Sequence, residues 1–313
     1  IFETGYHSKY LSFFDVDWDH PDASLNRRIL APFLGRFYGE CLEEGEIALE
    51  YDPEGFKIAY YNIVFPLRIE SYLNLFSNLS QLKSKLAEDN PDFIKLLDIL
   101  YVLKTLSSSD EPEERANQIK FIQGTLWELY NSNAVIKAFV DETLQTFNGE
   151  KGKAESFNSL DDLLSQQLFR LSFWKVAAEE INYRRFFCVN GLISLKVEDE
   201  HVLSHTHSLI FDLIERRILT GLRIDHVDGL YDPTGYLRKV RDKAPKTYIV
   251  VEKILNLNED LPPSWPVQGT TGYDFTNYVN ELFCQKENAR TFSRIYAGVI
   301  GLNNSYEDVV RGN

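Results

Sequence analysis

The sequence contains no methionine, and Ile1 stands at its first position. A chain of 313 residues with average usage would hold several. The absence predicts an internal piece of a longer polypeptide. Modified methionines dropped from the sequence are the alternative reading. Cysteine is almost as scarce, with 3 residues, Cys41, Cys188 and Cys284. An odd number at wide spacing, without Cys-x-x-Cys, excludes a disulfide framework and predicts reduced thiols in a cytoplasmic protein. Positive charge is short as well. Lys and Arg number 33 against 47 Asp and Glu, a formal net charge of −14. Nucleic-acid affinity rests on basic groups that neutralise phosphates, so a nucleic-acid partner is disfavoured, and so is an anionic membrane surface. No apolar run reaches the length of a membrane span. The first twenty residues carry Glu3, Asp15, Asp17 and Asp19, the opposite of a secretion signal.

What is present is enough to fold. Hydrophobic residues make up 44% of the chain, which allows a real core and excludes disorder. Aromatics make up 13%; they can serve as sugar platforms, but most aromatic residues are plain core.

Texture divides the chain into three. Residues 1–70 are rich in aromatics, Gly and Pro, with an extended run over Lys57–Leu67. Residues 71–180 read as helices. Asn90 and Pro91 form an N-cap and first-turn pair, followed by the stripe Phe93, Leu96, Leu97, Leu100 and Leu103. Ser107 to Asp110 breaks that helix, and Asp110 with Glu113 predicts a capping box before the stripe Ile119, Ile122, Leu126 and Leu129. Ser159 and Asp162 predict a third start, with the stripe Leu160, Leu163, Leu164, Leu168 and Leu171. The polar linker Asn148–Lys153 predicts an exposed loop. Residues 181–313 alternate strand and helix signals: strands over Leu192–Val197, Leu222–Val227 and Tyr248–Val251, helices over Ser208–Leu219 and Pro233–Ala244. The last strand–helix–strand run is a βαβ unit, which predicts parallel pairing.

Two carboxylates stand out in this third stretch. Residues two apart in a strand share a face, so Arg223 and Asp225 point the same way. A neighbouring guanidinium keeps a carboxylate ionised, as a nucleophile requires; a structural ion pair is the other reading. Glu252 ends the apolar run Tyr248–Val251, which predicts dry surroundings that favour a proton donor. A strand simply meeting solvent is the alternative. Both carboxylates fall at the C-terminal ends of consecutive parallel strands, where barrel enzymes keep their chemistry. One group that stays charged and one that stays protonated are what retaining glycoside chemistry needs, about 5–5.5 Å apart. A rival constellation is His201, His205 and His207, with His226 downstream. His-x-His is a metal-ligand spacing, and the segment is read as a connection before a helix.

Longer strings narrow the choice. They are Phe13-Phe14-Asp15-Val16-Asp17-Trp18, Leu34-Gly35-Arg36-Phe37-Tyr38-Gly39-Glu40, Ile181-Asn182-Tyr183-Arg184-Arg185-Phe186-Phe187 and Gly269-Thr270-Thr271-Gly272-Tyr273-Asp274-Phe275. Together with Arg223–Gly229 and Val251–Leu255, these resemble the maltooligosyl trehalose synthase family in the α-amylase clan (glycoside hydrolase family 13). The resemblance runs the length of the chain. It implies an α/β fold: a partial (β/α)8 TIM barrel around strands 4 and 5, with a large, mostly α-helical inserted subdomain. Residues 1–70 would be an inserted segment, 71–180 the helical insertion and 181–313 the partial barrel. The implied substrate is a maltooligosaccharide. The implied reaction is an intramolecular transglycosylation that turns the reducing-end α-1,4 bond into an α,α-1,1 bond. Asp225 would be the nucleophile and Glu252 the acid/base. Arg223, His226 and Tyr273 would bind or orient substrate, without metal or cofactor. The alternatives are an α-amylase-type retaining hydrolase and a non-catalytic glucan-binding fragment. The family also has an Asn-His pair before this region and a His-Asp pair after it. Neither pair occurs here, and Cys188 stands where Asp is commoner. The missing parts, a third carboxylate among them, are expected before residue 1 and after residue 313, which would leave the isolated chain inactive.

Overall fold

The computed structural model describes residues 1–87, 89–106, 112–256, 258–301 and 305–312. The chain clusters into two compact units, Ile1–Val202 and Leu203–Asn313.

The first unit holds five strands in two sheets. β1 (Ile29–Leu34) and β5 (Phe169–Phe173) pair in parallel. β2 (Ile47–Asp52), β3 (Gly55–Tyr60) and β4 (Ile63–Pro66) form an antiparallel meander, which accounts for the extended run expected over Lys57–Leu67. Eight α-helices accompany these strands among the described residues. The short α1 (Tyr38–Glu43) follows β1, and α2 (Tyr72–Leu75) and α3 (Leu79–Lys85) follow the meander. The long helices are α4 (Pro91–Thr105), α5 (Pro112–Ser132) and α6 (Ala134–Asn148), with α7 (Asn158–Ser165) and α8 (Ala177–Glu180) flanking β5.

The start of α4 follows the sequence, whereas the start expected from Ser159 and Asp162 does not: α7 opens at Asn158 after Phe157, with no side-chain cap hydrogen bond. The Asn90 side chain accepts hydrogen bonds from the Asp92 and Phe93 N–H groups, and Pro91 occupies the first turn, where its missing N–H costs nothing. Asn133 caps α6 in the same way through Val135 and Ile136. Of the stripe expected on α4, Phe93, Leu96, Leu100 and Leu103 are buried while Leu97 is 37% exposed; Ile99 is buried in its place. The four apolar positions expected on α5 are all buried. The break and capping box assigned to Ser107–Asp110 lie outside the described residues. Helices, meander and β1/β5 share one core that runs from Ala31 to Leu171.

Two expectations fail for identifiable reasons. Leu160, Leu163 and Leu164 lie on α7, but that helix stops at Ser165, so Leu168 and Leu171 are not part of it. They keep helical spacing by coincidence while Phe169–Phe173 turns into a strand against β1. The turn is held by Gln167, whose buried side chain accepts from the Arg68 N–H (2.9 Å) and donates to Ser71 Oγ (2.9 Å) and the Leu163 carbonyl (2.7 Å). Leu192–Val197 is not a strand. It makes isolated bridges only, Phe14 with Leu195 and Arg185 with Ile193. The linker after α6 is exposed as expected at Glu150–Lys153.

In the second unit, α9 (Glu200–Glu215) leads into a parallel sheet of order β6 (Gly221–Ile224), β7 (Tyr248–Val251), β8 (Gly269–Thr270). α10 (Pro233–Lys243) connects β6 to β7, as the βαβ reading required. Its buried residues are Tyr236, Leu237 and Val240, and those of β7 are Ile249 and Val251. Arg241 pins the end of α10 to the sheet. Its guanidinium donates to the carbonyls of Thr247 (2.6 Å) and Pro266 (2.9 Å) and to Gln268 Oε1 (3.0 Å), and that same oxygen accepts the Ile249 N–H (2.6 Å). α11 (Tyr273–Leu282), α12 (Ala289–Ile300) and α13 (Tyr306–Gly312) follow. Among the described residues no helix is long and apolar enough to cross a membrane.

Arg115 on α5 is fully buried. It donates to the Leu106 carbonyl (2.6 Å) and pairs with Glu70. Its removal leaves the Leu106 carbonyl without that donor and a void at a buried site, while Glu70 keeps Arg68 at 2.9 Å. Arg115→Ala should therefore cost about 2–5 kcal/mol, read as a lower urea midpoint. A midpoint equal to the parent's would refute that structural role.

Candidate active site

The site is a consequence of strand register. β6 and β7 are parallel, with Arg223 opposite Val250 and Ile224 opposite Val251. The Glu252 N–H donates to the Ile224 carbonyl at 2.7 Å, so the pairing carries on one step past both strands. Asp225 and Glu252 are thereby the first residues beyond two adjacent strand ends. Arg223 lies two residues before Asp225, as the period-two argument required. Its guanidinium reaches both carboxylates: Nη1 is 2.5 Å from Asp225 Oδ1 and Nη2 is 3.7 Å from Glu252 Oε1.

Glu252 has two further partners. The His226 N–H donates to Oε2 and the Tyr273 hydroxyl donates to Oε1, each at 3.0 Å. Both contacts depend on unusual backbone. His226 has φ +49°, which turns its N–H toward Glu252 and starts the short turn Val227–Gly229. A Cβ at Gly229 would lie 2.2 Å from His226 Nε2, so that ring requires glycine there. Tyr273 opens α11 directly after Gly272, whose φ of +99° is a conformation side chains rarely adopt. Thr270 Oγ1 closes the turn with Asp274 Oδ2 at 2.8 Å. The glycine and threonine of the Gly-Thr-Thr-Gly-Tyr-Asp string thus aim a phenol at a carboxylate.

Asp225 shifts in the expected direction, and the surroundings of Glu252 depart from the expected dryness. Asp225 is held below the ordinary carboxylate range, most strongly by a hydrogen bond with Glu252, with the Arg223 guanidinium adding to it. A lowered carboxyl pKa contributes stability that is present above the ordinary range and lost as pH falls through the lowered value. The surroundings of Glu252 are not dry. Its side chain is 24% exposed, and its neighbours are a guanidinium, a phenol and a backbone N–H. An apolar strand ends beneath it, but the polar turns after β6 and β8 close over it. The Tyr273 phenol is raised, first by its hydrogen bond to Glu252. Nearby, Lys253 bridges Glu259 (2.9 Å) and Asp228 (3.7 Å), an anchor that spacing alone did not reveal.

The histidine segment is organised differently from its sequence reading. It lies inside α9, not in a connection. Residues two apart on a helix project about 200° apart, so His205 and His207 face different ways. The His207 ring instead meets Tyr236 Oη and Thr206 Oγ1, each at 2.9 Å, and burial lowers its pKa. Among the described residues no group of three or more His, Cys, Asp or Glu is placed to hold a metal ion.

No family model matches the chain. A putative maltooligosyl trehalose synthase of Mycobacterium tuberculosis (strain H37Rv) is 42% identical over 110 residues, 35% of this chain and 14% of that protein. A solved glycosyltrehalose synthase, designated DSM5389, is 27% identical with a TM-score of 0.57 over 97% of this chain and 30% of its own. The chain is similar to maltooligosyl trehalose synthases. The maltooligosyltrehalose synthase of Arthrobacter ramosus shares the fold at a TM-score of 0.57 and 24% identity, and 28% of its length is covered. This chain therefore spans under a third of the length of the solved synthases it matches.

Replacing the guanidinium should release Asp225. In Arg223→Gln, the Asp225 side-chain carboxyl carbon, followed by NMR, should titrate at higher pH than in the parent. An unchanged midpoint would show that Arg223 does not hold this carboxylate ionised.

Proposed function

We propose that this chain carries the two central carboxylates of a maltooligosaccharide transglycosylase that isomerises a reducing-end α-1,4 bond to α,α-1,1. The supporting observation is the guanidinium of Arg223 set between Asp225 and Glu252 at the ends of adjacent parallel strands. Asp225, exposed and ionised, attacks the anomeric carbon and forms a glycosyl-enzyme ester. Glu252 protonates the departing oxygen, and the glucose leaves as a neutral alcohol. Glu252, now a carboxylate, takes the proton from the anomeric hydroxyl of that same glucose. The resulting oxygen displaces Asp225, and the carboxylate is regenerated. Two displacements retain configuration. No cofactor is called for.

Arg223 orients Asp225. Tyr273 and the His226 N–H fix Glu252, and the His226 ring flanks the reacting sugar. In this reading β6, β7 and β8 are consecutive strands of a (β/α)8 barrel around its fourth and fifth strands. Residues 181–313 contribute to that barrel, and 1–70 and 71–180 are segments inserted into it. Asp225 has a side-chain exposure of 60%, so transfer rather than hydrolysis needs a cover over the strand ends. The longer polypeptide of the synthases is the source we propose for it.

The test is incubation with maltopentaose of a polypeptide carrying this segment at the length of its relatives. Reducing ends should disappear without a matching release of free glucose. Glu252→Gln should lower kcat about 10²–10⁴-fold, and Asp225→Asn should abolish turnover. Accumulating reducing sugar would make the protein a hydrolase instead. Retained turnover in Glu252→Gln would overturn the assignment of the acid.

A further inference from the structure

Lys253 follows Glu252 directly, yet it has no part in the chemistry above. Its side chain is 17% exposed, and its ammonium lies between two carboxylates from different strand ends. Glu259 Oε1, at 2.9 Å, belongs to the segment after β7. Asp228 Oδ2, at 3.7 Å, belongs to the turn after β6. Both push the ammonium above its ordinary pKa, Glu259 first, so it stays charged. The Glu259 end is rigid. The Asn256 N–H donates to Glu259 Oε2 at 3.1 Å, and the Glu259 N–H donates back to the Asn256 carbonyl at 3.0 Å. A fixed carboxylate thus holds the ammonium and presents it to Asp228.

Asp228 matters because of what shares its turn. Val227 is fully buried and pins the turn Val227–Gly229 at one point. One buried side chain leaves a short turn able to pivot, and a second fixed point stops it. Asp228 supplies that point, and its Oδ1 also stands 3.9 Å from His226 Nδ1. The turn starts at His226, whose N–H donates to Glu252 Oε2. Arg223 and Tyr273 approach the other oxygen, Oε1. With both oxygens engaged the plane of the Glu252 carboxyl is fixed. A turn that pivots takes the N–H away from Oε2.

We infer that Lys253 is a positioning residue, whose ammonium ties the turn after β6 to the segment after β7 and so keeps the His226 N–H on Glu252. Its effect on turnover rests on the transglycosylase reading, in which Glu252 is the acid/base. Its effect on the His226 N–H does not. Ion pairs this close to solvent add little to global stability, so the tie is read from local order and not from unfolding.

Hydrogen exchange of the His226 amide, followed by NMR on the 313-residue chain, is the first test. Lys253→Met should speed it about tenfold and leave the urea midpoint unchanged. Asp228→Asn should do the same. The double variant should exchange no faster than either single change, because both remove one tie. Lys253→Arg keeps the charge and should keep the slow rate. The second test is turnover of maltopentaose by a polypeptide of the relatives' length. Lys253→Met should lower kcat about tenfold with KM within about twofold, because the N–H acts on the acid and not on sugar binding. Unchanged exchange in Lys253→Met, additive effects in the double variant, or an unchanged kcat would overturn the inference. A parent polypeptide that forms no isomerised product would overturn the transglycosylase reading instead, and the exchange rates would still decide this one.

Discussion

The hydrogen bond from the Glu252 N–H to the Ile224 carbonyl fixes the relation between two strand ends, and the candidate site is built on that relation. A side-chain period of two means that a slip of one residue would send Arg223 to the opposite face of the sheet. In the observed register one guanidinium serves both carboxylates. α10 and Arg241 secure that register from below, because Arg241 joins the end of the crossover helix to the β7 and β8 segments in one network. The strand-end geometry therefore rests on backbone carbonyls as well as on the buried Ile249 and Val251.

Much of this was legible beforehand. Arg223 and Asp225 at spacing two, and Glu252 at the end of Tyr248–Val251, place the carboxylates correctly from strand geometry alone. Pro91 after Asn90 located α4. What sequence could not show was what comes to rest beside Glu252. Its apolar strand argued for dryness, yet two turns distant in sequence bring a phenol and an N–H to it. The signal existed in two glycines: Gly272 has φ +99°, which side chains rarely adopt, and Gly229 lies where a Cβ would meet the His226 ring. Its target, Glu252, lies 23 and 20 residues away and is set only by the fold.

Periodicity misplaces two boundaries in opposite senses. Leu168 and Leu171 extend a helical period into a strand, whereas the histidines belong to a helix that begins at Glu200, ahead of the run from Ser208 that reads as helical. Periodicity reports which faces are buried. It does not report where the chain stops being helical when the next element happens to keep the same spacing. Gln167 decides the first case, through hydrogen bonds to residues nearly a hundred positions away.

The sheet order β6-β7-β8 makes β6 an edge strand. Beyond it, among the described residues, no further strand completes the ladder. An unfinished ladder is an open valence for backbone hydrogen bonding. The four residues that present Arg223 to both carboxylates thus also form the margin at which another strand can be added. Whatever pairs there would become a neighbour of Arg223 and Asp225. In this fold the completeness of the sheet and the environment of the candidate site are one variable.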